Sequence, residues 1–489
     1  MTDKAVKSGY EAVIGLEVHA QLRTESKMFC GCKAEYGAPP NSRTCPVCLG
    51  LPGALPVPNE KAVEYGIKMI LAVGGEVAAR TGFARKNYFY SDLPKGYQIT
   101  QFDMPLGVGG GIEINSRDTG AKKTIAIKRI HLEEDAGKLI HPDGEDNVSY
   151  VDLNRCGVPL LEIVSEPDIA APAEAHEYLI KLKQVLQYLG ICTGDMEKGH
   201  LRCDANVSIR PIGSNELRVR TEVKNLNSFR FVEKALAYEI QRQTDLIITG
   251  KTVKQCTMMW NEEKQSVEPM RLKEEAPDYR YFPEPDLPLI MVDDITVADI
   301  KSELPEMPDR KKSRFIDQYG LSEYDAGIIS ESRSKADYYE AVMERYRDAK
   351  IAANWLINEV LRVINEAKVD IEEFIVKPRK LAELLVLIDS GHISGKIAKE
   401  VFRYMVDSGR SAADIITLKG LAQITDRNEL ERIVEEVISE EKANVGRYLA
   451  GQKKLFDFFV GQVMKKSDGK AGPELTTEIL REKLNGLEG

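Results

Sequence analysis

Apolar and polar residues alternate over short stretches in about the first 290 residues of the chain. In GLEVHAQL, residues 15–22, the alternation places the apolar side chains on one face of a strand and Glu17 and His19 together on the other face. Successive side chains of a strand point to opposite faces, which is the basis of this assignment. Gly and Pro residues separate such stretches from one another. The pattern predicts a β-rich region that contains a few helices.

Apolar residues of helical spacing interrupt this alternation at 60–74, 172–189 and 228–248. The first helix ends at Gly74, and Gly190 follows the second, as glycine often does at a helix end. Pro172 stands in the first turn of the second helix, where proline is tolerated. We therefore predict three helices within the β-rich region.

A proline-rich stretch, 283–288, indicates a junction, because three prolines in six residues do not favour continued regular structure. After it, apolar stripes of helical spacing, such as the one in 351–367, recur to the C-terminus. We predict an α+β fold in three parts. They are a β-rich domain over 1–295, a helical domain over 296–412 and a small all-α tail domain over 413–489.

The formal net charge of −10 argues against a chain coated in positive potential, as many non-specific nucleic-acid binders are. A local exception is 442–470, which holds seven Lys or Arg residues and two Asp, a balance of +5. This segment either contacts a phosphate backbone or forms an ordinary solvated helix face. No apolar stretch approaches the roughly 20 residues that cross a bilayer, and residues 1–10 lack the apolar core of a secretory signal. We expect a cytoplasmic chain with reduced thiols and no membrane span.

Four cysteines have the spacing of a metal site, since Cys30, Cys32, Cys45 and Cys48 form C-x-C, twelve residues and C-x-x-C. Four thiolates on two short knuckles match a tetrahedral structural zinc site. The alternatives are unliganded thiols or a redox pair, and a reducing compartment disfavours a stable disulfide. The remaining four cysteines are scattered, and we expect them to be core thiols.

Acidic strand segments occur at three places: around Glu17, in IHLEEDAGK at 130–138, and in a predicted hairpin over 201–224. In the hairpin, alternation places Asp204, Asn206 and Glu222 on the polar face, with Leu217 and Val219 facing inward. If the three segments converge, their oxygens can hold a hard cation such as Mg²⁺, which orients nucleotide phosphates. The alternative is a polar face that meets water.

Two common catalytic motifs, the P-loop and the nucleophile elbow, are missing from the sequence. GHISGK, 391–396, has three residues instead of four between its glycines, and Ile397 stands where a P-loop has Ser or Thr. There is no G-x-S-x-G elbow, so the sequence predicts no hydrolytic nucleophile.

Seven long strings in this order resemble the B subunit of the tRNA-dependent amidotransferase. They are YEAVIGLEVHAQL, RKNYFYSDLPKGYQITQFDMPL, IHLEEDAGK, VDLNRCGVPLLEIVSEPD, LRCDANVSIRP, EVKNLNSF and DYRYFPEPDLP. The resemblance runs from about residue 9 to the C-terminus, where FFVGQVMKKSDGKAGPELTTEILREKL is similar to the small helical tRNA-binding module that ends this family.

The resemblance implies that the chain works in a complex with an amidase-like A subunit, which releases ammonia from glutamine, and a small C subunit. It implies that the chain itself binds a misacylated tRNA, phosphorylates the side-chain carboxylate of the attached Glu or Asp with ATP and Mg²⁺, and lets ammonia displace the phosphate. The β-rich domain corresponds to the family's cradle domain. No membrane or DNA partner is implied, and the tail is expected to bind the outer corner of tRNA by shape and phosphate contact.

The resemblance also assigns roles to residues. Glu17, His19, Glu134 and Glu222 match the family's metal-centred active site, with a neutral imidazole on His19. Asp204 is a further candidate in the catalytic site, and Lys86 and Asn206 are candidates for contacts to ATP or the acyl-phosphate. Glu133 is the alternative to Glu134, because alternation along the strand places Glu133, not Glu134, on the side of His131.

Some questions stay open at the level of sequence. The cysteine quartet occurs in only some members of the family, so zinc is expected to stabilise a loop and not to take part in the chemistry. A scaffold that binds tRNA without catalysis and a zinc-stapled interaction protein are the alternative functions. The sequence does not distinguish Glu-tRNA(Gln) from Asp-tRNA(Asn) as substrate, and it does not locate an ammonia channel.

Overall fold

The structure is a computed structural model that describes residues 9–115, 120–141, 148–271, 278–424 and 426–487. The chain forms two compact units, Met1–Pro308 and Asp309–Gly489. A large mixed sheet forms the centre of the first unit, and the second unit is helical. The predicted α+β class is therefore confirmed.

The strands of the first unit are named β1 to β17 in chain order. They are Tyr10–Gln21, Glu76–Val77, Arg80–Thr81, Ala84–Asn87, Tyr97–Thr100, Gly107–Val108, Gly111–Asn115, Lys122–Glu134, Lys138–Ile140, Tyr150–Asp152, Pro159–Ser165, Leu201–Pro211, Thr221–Lys224, Thr257–Asn261, Ser266–Arg271, Phe282–Pro283 and Ile290–Met291.

Thirteen of these strands form one sheet. Its main path runs β15-β14-β13-β12-β1-β11-β8-β5-β4-β16. Of the remaining members, β6 and β7 pair with β8, and β2 pairs with β6. The long strand β1 lies in the middle, antiparallel to both β11 and β12. The three acidic segments that the sequence singles out, on β1, β8 and β12–β13, therefore lie close together in one sheet.

The alternation along β1 fixes which face is buried. Ile14, Leu16 and Val18 are fully buried in the core, each worth about 1.5–3 kcal/mol relative to an exposed position. The same core includes residues of three helices: α1 (Glu60–Ala72), α2 (Pro172–Tyr188) and α3 (Phe229–Ile248). A one-residue slip of β1 would turn its acids into this core, so the polar face is strongly specified.

The three helices of the first unit occur where the apolar spacing predicts them. Asn59 caps α1 by accepting hydrogen bonds from the N–H groups of Lys61 and Ala62, and Ser228 caps α3 in the same way. Gly74 and Gly190 follow α1 and α2 with φ of +73° and +70°, a conformation that glycine adopts without strain. These predictions are confirmed.

The helices that follow are named α4 to α16. They are Asp294–Ser302, Pro308–Tyr319, Glu323–Ile329, Arg333–Met343, Ala349–Trp355, Leu361–Ala367, Pro378–Asp389, Gly395–Ser408, Ala412–Lys419, Arg427–Glu440, Lys442–Leu449, Phe456–Lys466 and Pro473–Asn485. A π-helical turn, Leu356–Val360, joins α8 to α9, and a 3₁₀ turn, Lys453–Leu455, precedes α15. The helix predicted over 351–367 thus contains a π turn at its centre.

The first compact unit extends beyond the predicted limit at 295. Helix α4 packs on the core of the sheet through Val297 and Ile300, which explains why the unit continues to Pro308. The second unit contains two apolar clusters, one between Phe315 and Ile416 and one between Leu430 and Leu484. The division of the helical part into two domains stays a prediction.

The hairpin predicted over 201–224 forms only in part. β12 and β13 pair antiparallel, but the ladder stops at the pair Val207 and Thr221. Leu217 and Val219, which were expected to face inward, are 65% and 49% exposed. Beyond Val207, β12 pairs only with β1 on its other side, so residues 212–220 leave the sheet. Within the described ranges, no helix has the length and apolar character that crossing a membrane requires.

Candidate active site

Four neighbouring strands bring the polar side chains of the sheet together. Glu17 on β1 lies opposite Asp204 on β12, and His19 lies opposite Glu162 on β11. The next strand, β8, places His131 opposite Glu162. Directly opposite residues of an antiparallel pair point to the same face. Rows of acids and histidines therefore run across the face of the sheet that lies opposite the apolar side chains of β1.

His19, Glu133 and Glu162 form the centre of this face. Nε2 of His19 lies 3.5 Å from Oε1 of Glu133 and 3.3 Å from Oε2 of Glu162. One ligand atom from each of the three residues lies within 4.8 Å of the other two. Nε2 of His131 also lies 3.3 Å from Oε2 of Glu162. Two carboxylates and an imidazole at these separations can hold a divalent cation.

The electrostatics of this group show why a cation would stabilise it. Burial raises the pKa of Glu133, and the negative charge of Glu162 raises it further. Burial also raises the pKa of Glu17, with a further contribution from Glu162. The carboxylates therefore repel one another in a poorly solvated place. A divalent cation would offset this repulsion and favour the ionised forms.

The histidines offset part of the same repulsion in the metal-free chain. Burial alone would lower the pKa of His19, but its hydrogen bond to Glu162 and the charges of Glu133 and Glu162 raise it to about 9. Burial works against ionisation of Glu162, yet His131 and His19 hold the pKa of Glu162 well below its usual range. Binding of a metal through His19 requires that the imidazole lose its proton.

Glu134 does not join this group, although the sequence-based prediction places it around the metal with Glu17, His19 and Glu222. Glu134 follows Glu133 on β8 and points to the opposite face, as alternation requires. Its carboxylate there pairs with Lys95 and accepts a hydrogen bond of 2.9 Å from the N–H of Ile99. The alternative residue, Glu133, is the one that lies beside His19.

The other predicted residues lie in neighbouring rows on the side of the group toward β13. Asn206 donates a 3.2 Å hydrogen bond to Glu17, and Nζ of Lys224 lies 3.0 Å from carboxylate oxygens of both Asp204 and Glu222. Glu222 also accepts a 3.0 Å hydrogen bond from Thr257. The structure thus brings these residues close to the centre, but Glu17 and Glu222 do not belong to the compact group of ligand atoms.

Lys86 lies on the other side of the group, on β4, within a cluster of aromatic rings. Its Nζ is 4.9 Å from the ring centroid of Tyr279 and 5.8 Å from that of Tyr88. Burial would lower the pKa of Lys86, but the carboxylates of Glu133 and Glu162 contribute to a net increase. A charged lysine next to these carboxylates can neutralise negative charge on a substrate.

Glu162 is the main site residue that the sequence reasoning missed. It stands in PLLEIVS, the strand β11, where all residues but one are buried. A single acid in such a strand is unusual, because a buried charge needs partners. This isolated acid was the available signal. Arg129, whose Nη2 lies 3.8 Å from Glu162, carried no comparable signal in the sequence.

The four cysteines predicted to bind zinc also come together. One Sγ atom from each of Cys30, Cys32, Cys45 and Cys48 lies within 4.8 Å of the other three. A tetrahedral site with Zn–S bonds near 2.3 Å has S–S edges of about 3.8 Å, so the cluster is close to that geometry. The four thiols can hold a metal such as zinc. Cys156 is near but separate, since its Sγ contacts the carbonyl oxygen of Cys48.

The surroundings of the cysteine cluster favour a thiolate at Cys48. A hydrogen bond from Cys30, followed by the backbone N–H of Cys45 and the charge of Lys27, lowers the pKa of Cys48 to about 5 against the effect of burial. The hydrogen bond to Cys48 raises the pKa of Cys30, and burial raises that of Cys32, so in the metal-free cluster one sulfur carries the negative charge. Lys27 is fully buried, with its Nζ 3.7 Å from Sγ of Cys48 and 2.7 Å from the carbonyl oxygen of Arg43. A buried amino group next to the sulfur of Cys48 fits a site that carries negative charge.

Fold and site together define a class: a β-rich catalytic domain with an acid–imidazole centre and a cysteine knuckle, followed by helical segments. Two family models match the chain, the GatB/GatE catalytic domain over residues 12–298 and the GatB domain over residues 337–484. The first alone spans more than half of the chain.

Relatives of similar length match over almost the whole chain. The B subunit of the aspartyl/glutamyl-tRNA(Asn/Gln) amidotransferase of Thermodesulfovibrio yellowstonii is 53% identical over 472 residues, which cover 96% of this chain and 98% of that protein. The protein of the same name from Chlorobium luteolum is 50% identical over 477 residues, 98% of this chain and 100% of that protein. The chain belongs to the family of amidotransferase B subunits, part of a glutamine-hydrolysing ligase that acts with partner subunits.

Proposed function

We propose that this chain binds a misacylated tRNA, transfers the γ-phosphoryl group of ATP to the side-chain carboxylate of the attached amino acid, and directs ammonia to the resulting acyl-phosphate. The products are Gln-tRNA(Gln) from Glu-tRNA(Gln), Asn-tRNA(Asn) from Asp-tRNA(Asn), or both. The family membership supports the reaction, and the group formed by His19, Glu133 and Glu162 is the observation that carries it to particular residues.

The chemistry explains why such a group is needed. A carboxylate is a poor acyl donor, because its leaving group would be oxide, whereas an acyl-phosphate leaves as phosphate. The transfer brings a carboxylate and a triphosphate together, so their negative charges must be neutralised. Mg²⁺ held by Glu133, Glu162 and a neutral His19 would supply charge neutralisation and orientation for this step.

The remaining polar residues would position the reactants. Lys86 faces the carboxylate group from β4 and would stabilise the anionic substrate, while Asn206 and Glu17 are joined by a hydrogen bond at the opposite edge. Asp204 and Glu222 share Lys224, so we assign them to orientation of the outer edge of the site and not to direct ligation.

Zinc bound by the four cysteines would have a structural role. The loop that carries the four cysteines is hydrogen-bonded to the segment after β10. The N–H of Arg43 donates to the side chain of Asn154, and the N–H of Met28 donates to the carbonyl oxygen of Gly157. All four sulfurs would be used as ligands, which leaves no open position for catalysis.

Ammonia would come from an amidase-like A subunit, supported by a small C subunit, because the sequence contains no G-x-S-x-G elbow. The basic segment 442–470, around α14 and α15, would contact tRNA phosphates. A translation enzyme of this kind would act in the cytoplasm.

The test uses the full chain with its partner subunits, misacylated tRNA and ATP labelled at the γ-phosphate. Ammonium chloride replaces glutamine, so that the amidase activity does not enter the result. We expect amide formation and phosphate release that depend on the misacylated tRNA. Binding of tRNA without phosphoryl transfer would support the scaffold alternative and contradict the proposal.

A further inference from the structure

Strands β4 and β5 extend the polar face of the sheet beyond Glu133. Thr100 on β5 pairs with Glu133 on one side and with Ala84 on β4 on the other. Opposite residues share a face, and every second residue of a strand returns to it. Lys86 follows Ala84 by two residues and Tyr88 by four, and Nζ of Lys86 lies 5.8 Å from the ring centroid of Tyr88. The polar face therefore continues outward into a lysine and an aromatic ring.

Four aromatic rings form a row beside Lys86, which we call the aromatic strip. Its members are Tyr88, Tyr279, Tyr281 and Phe102. Tyr279 meets Tyr88 and Tyr281 edge to face, each at a centroid distance of 6.1 Å. The rings of Tyr281 and Phe102 are stacked, with centroids 4.0 Å apart and 5° between their planes. The strip leads from Lys86 to Phe102, which is 52% exposed.

The segment that supplies two of these rings has an unusual backbone conformation. Arg280, between Tyr279 and Tyr281, has a φ of +45°, in the left-handed region that residues other than glycine rarely adopt. Asn87 holds this segment. Its N–H donates a 2.9 Å hydrogen bond to the carbonyl oxygen of Tyr279, and its side chain donates one of 2.8 Å to the carbonyl oxygen of Arg280. Strain of this kind persists where neighbouring contacts hold it, and it is frequent at binding sites.

The aromatic strip lies close enough to the centre of the candidate site to be affected by its charges. Burial raises the pKa of Tyr281, and the carboxylates of Glu162 and Glu133 contribute to the increase. Burial also raises the pKa of Tyr88, with a contribution from Glu133. A molecule that lies on the strip can therefore place one end beside these carboxylates.

We propose that the aromatic strip binds the unpaired 3′ end of the misacylated tRNA by stacking of its bases on the rings. The proposal rests on the proposed function and assigns a place to the end of the RNA that carries the amino acid. Proteins bind single-stranded RNA by stacking bases on aromatic side chains next to cations that meet the backbone. Lys86 and the exposed Arg280 supply such cations. The amino acid would then reach Glu133 and Glu162 from the side of β4.

The adenine of ATP is the other source of a flat base. One adenine covers the face of one ring, whereas the strip has four rings in succession and opens to the surface at Phe102. The length of the strip and its open end favour a strand of RNA that continues away from the site. A partner subunit is a further occupant of an aromatic surface, and the experiment distinguishes it from RNA.

The experiment measures equilibrium binding of tRNA to the full chain with its partner subunits. Uncharged tRNA is compared with the same tRNA lacking its unpaired 3′ nucleotides, so that the amino acid does not enter the comparison. The variants are Tyr281→Leu and Phe102→Leu, which keep an apolar side chain and remove one ring. The matched control is Tyr238→Leu, a 40% exposed position on α3, the helix that packs on the opposite face of the sheet.

The ratio of the two affinities is the quantity that tests the strip. On the parent, intact tRNA should bind about 5- to 100-fold more tightly than truncated tRNA, the range expected for stacking of a base. In Tyr281→Leu and Phe102→Leu this ratio should fall toward one, while binding of truncated tRNA and of Mg·ATP should not change. Tyr281→Phe keeps the ring and should retain the parent ratio, as should the control.

The outcomes separate this proposal from the proposed function. If the parent binds no tRNA, both fail. If the parent binds tRNA but its ratio is one, or if the variants keep the parent ratio, only the assignment of the strip fails. A variant that binds both tRNAs more weakly to the same degree also contradicts the assignment. Weaker Mg·ATP binding with an unchanged ratio would assign the strip to adenine, and loss of the partner subunits from the variants would assign it to a protein interface.

Discussion

Glu133 and Glu134 are adjacent in sequence and lie on opposite faces of one strand, so a matched pair of substitutions tests the assignment of the site. Glu133→Gln keeps the shape of the side chain and removes one carboxylate from the group formed by His19, Glu133 and Glu162, the proposed metal site. Glu134→Gln removes the carboxylate that pairs with Lys95, where the two side chains are 1% and 5% exposed. Glu133→Gln should therefore lower activity with little effect on stability, and Glu134→Gln should mainly lower stability.

The burial and partners of the two glutamates set the expected size of each effect. Glu134→Gln leaves a buried ammonium without its carboxylate, which costs about 3–5 kcal/mol and lowers the melting temperature of the first unit by roughly 5–15 °C. Glu133 is buried next to Glu162, which repels it, so Glu133→Gln should change the free energy of unfolding by no more than about 1 kcal/mol. Its effect should fall on phosphoryl transfer, with a loss of about 10²–10³-fold in kcat.

The assay combines thermal unfolding of the full chain with ammonium-dependent amidation of misacylated tRNA, measured below the melting temperature of the weaker variant. The reasoning would be refuted by the reverse result. A Glu134→Gln chain that is stable but inactive, together with an active Glu133→Gln chain, would place the metal on the other face of β8.

Three further predictions follow from the structure. The purified chain should contain about one zinc ion, and the Cys32→Ser variant should contain none. In that variant, hydrogen exchange should be faster in the loop 27–57, whereas Mg·ATP binding should persist. Unchanged zinc content in the variant would argue against the cysteine site. In metal-free buffer, the folded chain holds the proton of His19 more tightly than the unfolded chain does, because folding raises the pKa of His19 from 6.5 to about 9. This difference should contribute up to about 3 kcal/mol to the free energy of unfolding. The contribution should be complete below pH 6.5 and lost as the pH rises through 9. Denaturant unfolding should show this decline, and His19→Asn should remove it. Phe459→Ala should destabilise the apolar cluster between Leu430 and Leu484 by about 3–5 kcal/mol, visible as faster hydrogen exchange there but not in the sheet.

Local patterns in the sequence were enough for much of the fold. The alternation in β1 separates the buried Leu16 and Val18 from Glu17 and His19, and the spacing of apolar residues and the flanking glycines give the positions of α1 and α2. The cysteine knuckle was predictable because the ligand spacing itself carries the geometry.

The centre of the candidate site was predicted less well, because it depends on the order of strands in the sheet. β11 lies between β1 and β8, and it places Glu162 between His19 and His131. A single glutamate in an apolar run does not reveal its neighbours. Alternation along β8 places Glu133 on the side of His131, and the structure has Glu133 beside His19 and Glu134 on the opposite face. The family resemblance had favoured Glu134.

The β-bulge at Lys128 on β8 and the early end of the β12–β13 ladder could not be predicted from alternation. Both are departures from regular pairing. Regular alternation would send Lys128 to the face opposite Arg129 and would keep Leu217 in the core, whereas Leu217 is 65% exposed. The bulge and the end of the ladder depend on how each strand pairs with its neighbours in the folded sheet.

The most direct test of the central claim is pulsed electron paramagnetic resonance of Mn²⁺ bound to the full chain in the presence of ATP. Mn²⁺ has ligand preferences close to those of Mg²⁺, and a directly bound imidazole gives a nitrogen coupling. We predict a nitrogen coupling in the parent chain that disappears in His19→Gln. Bound Mn²⁺ without nitrogen coupling, or a coupling that persists in His19→Gln, would contradict the account.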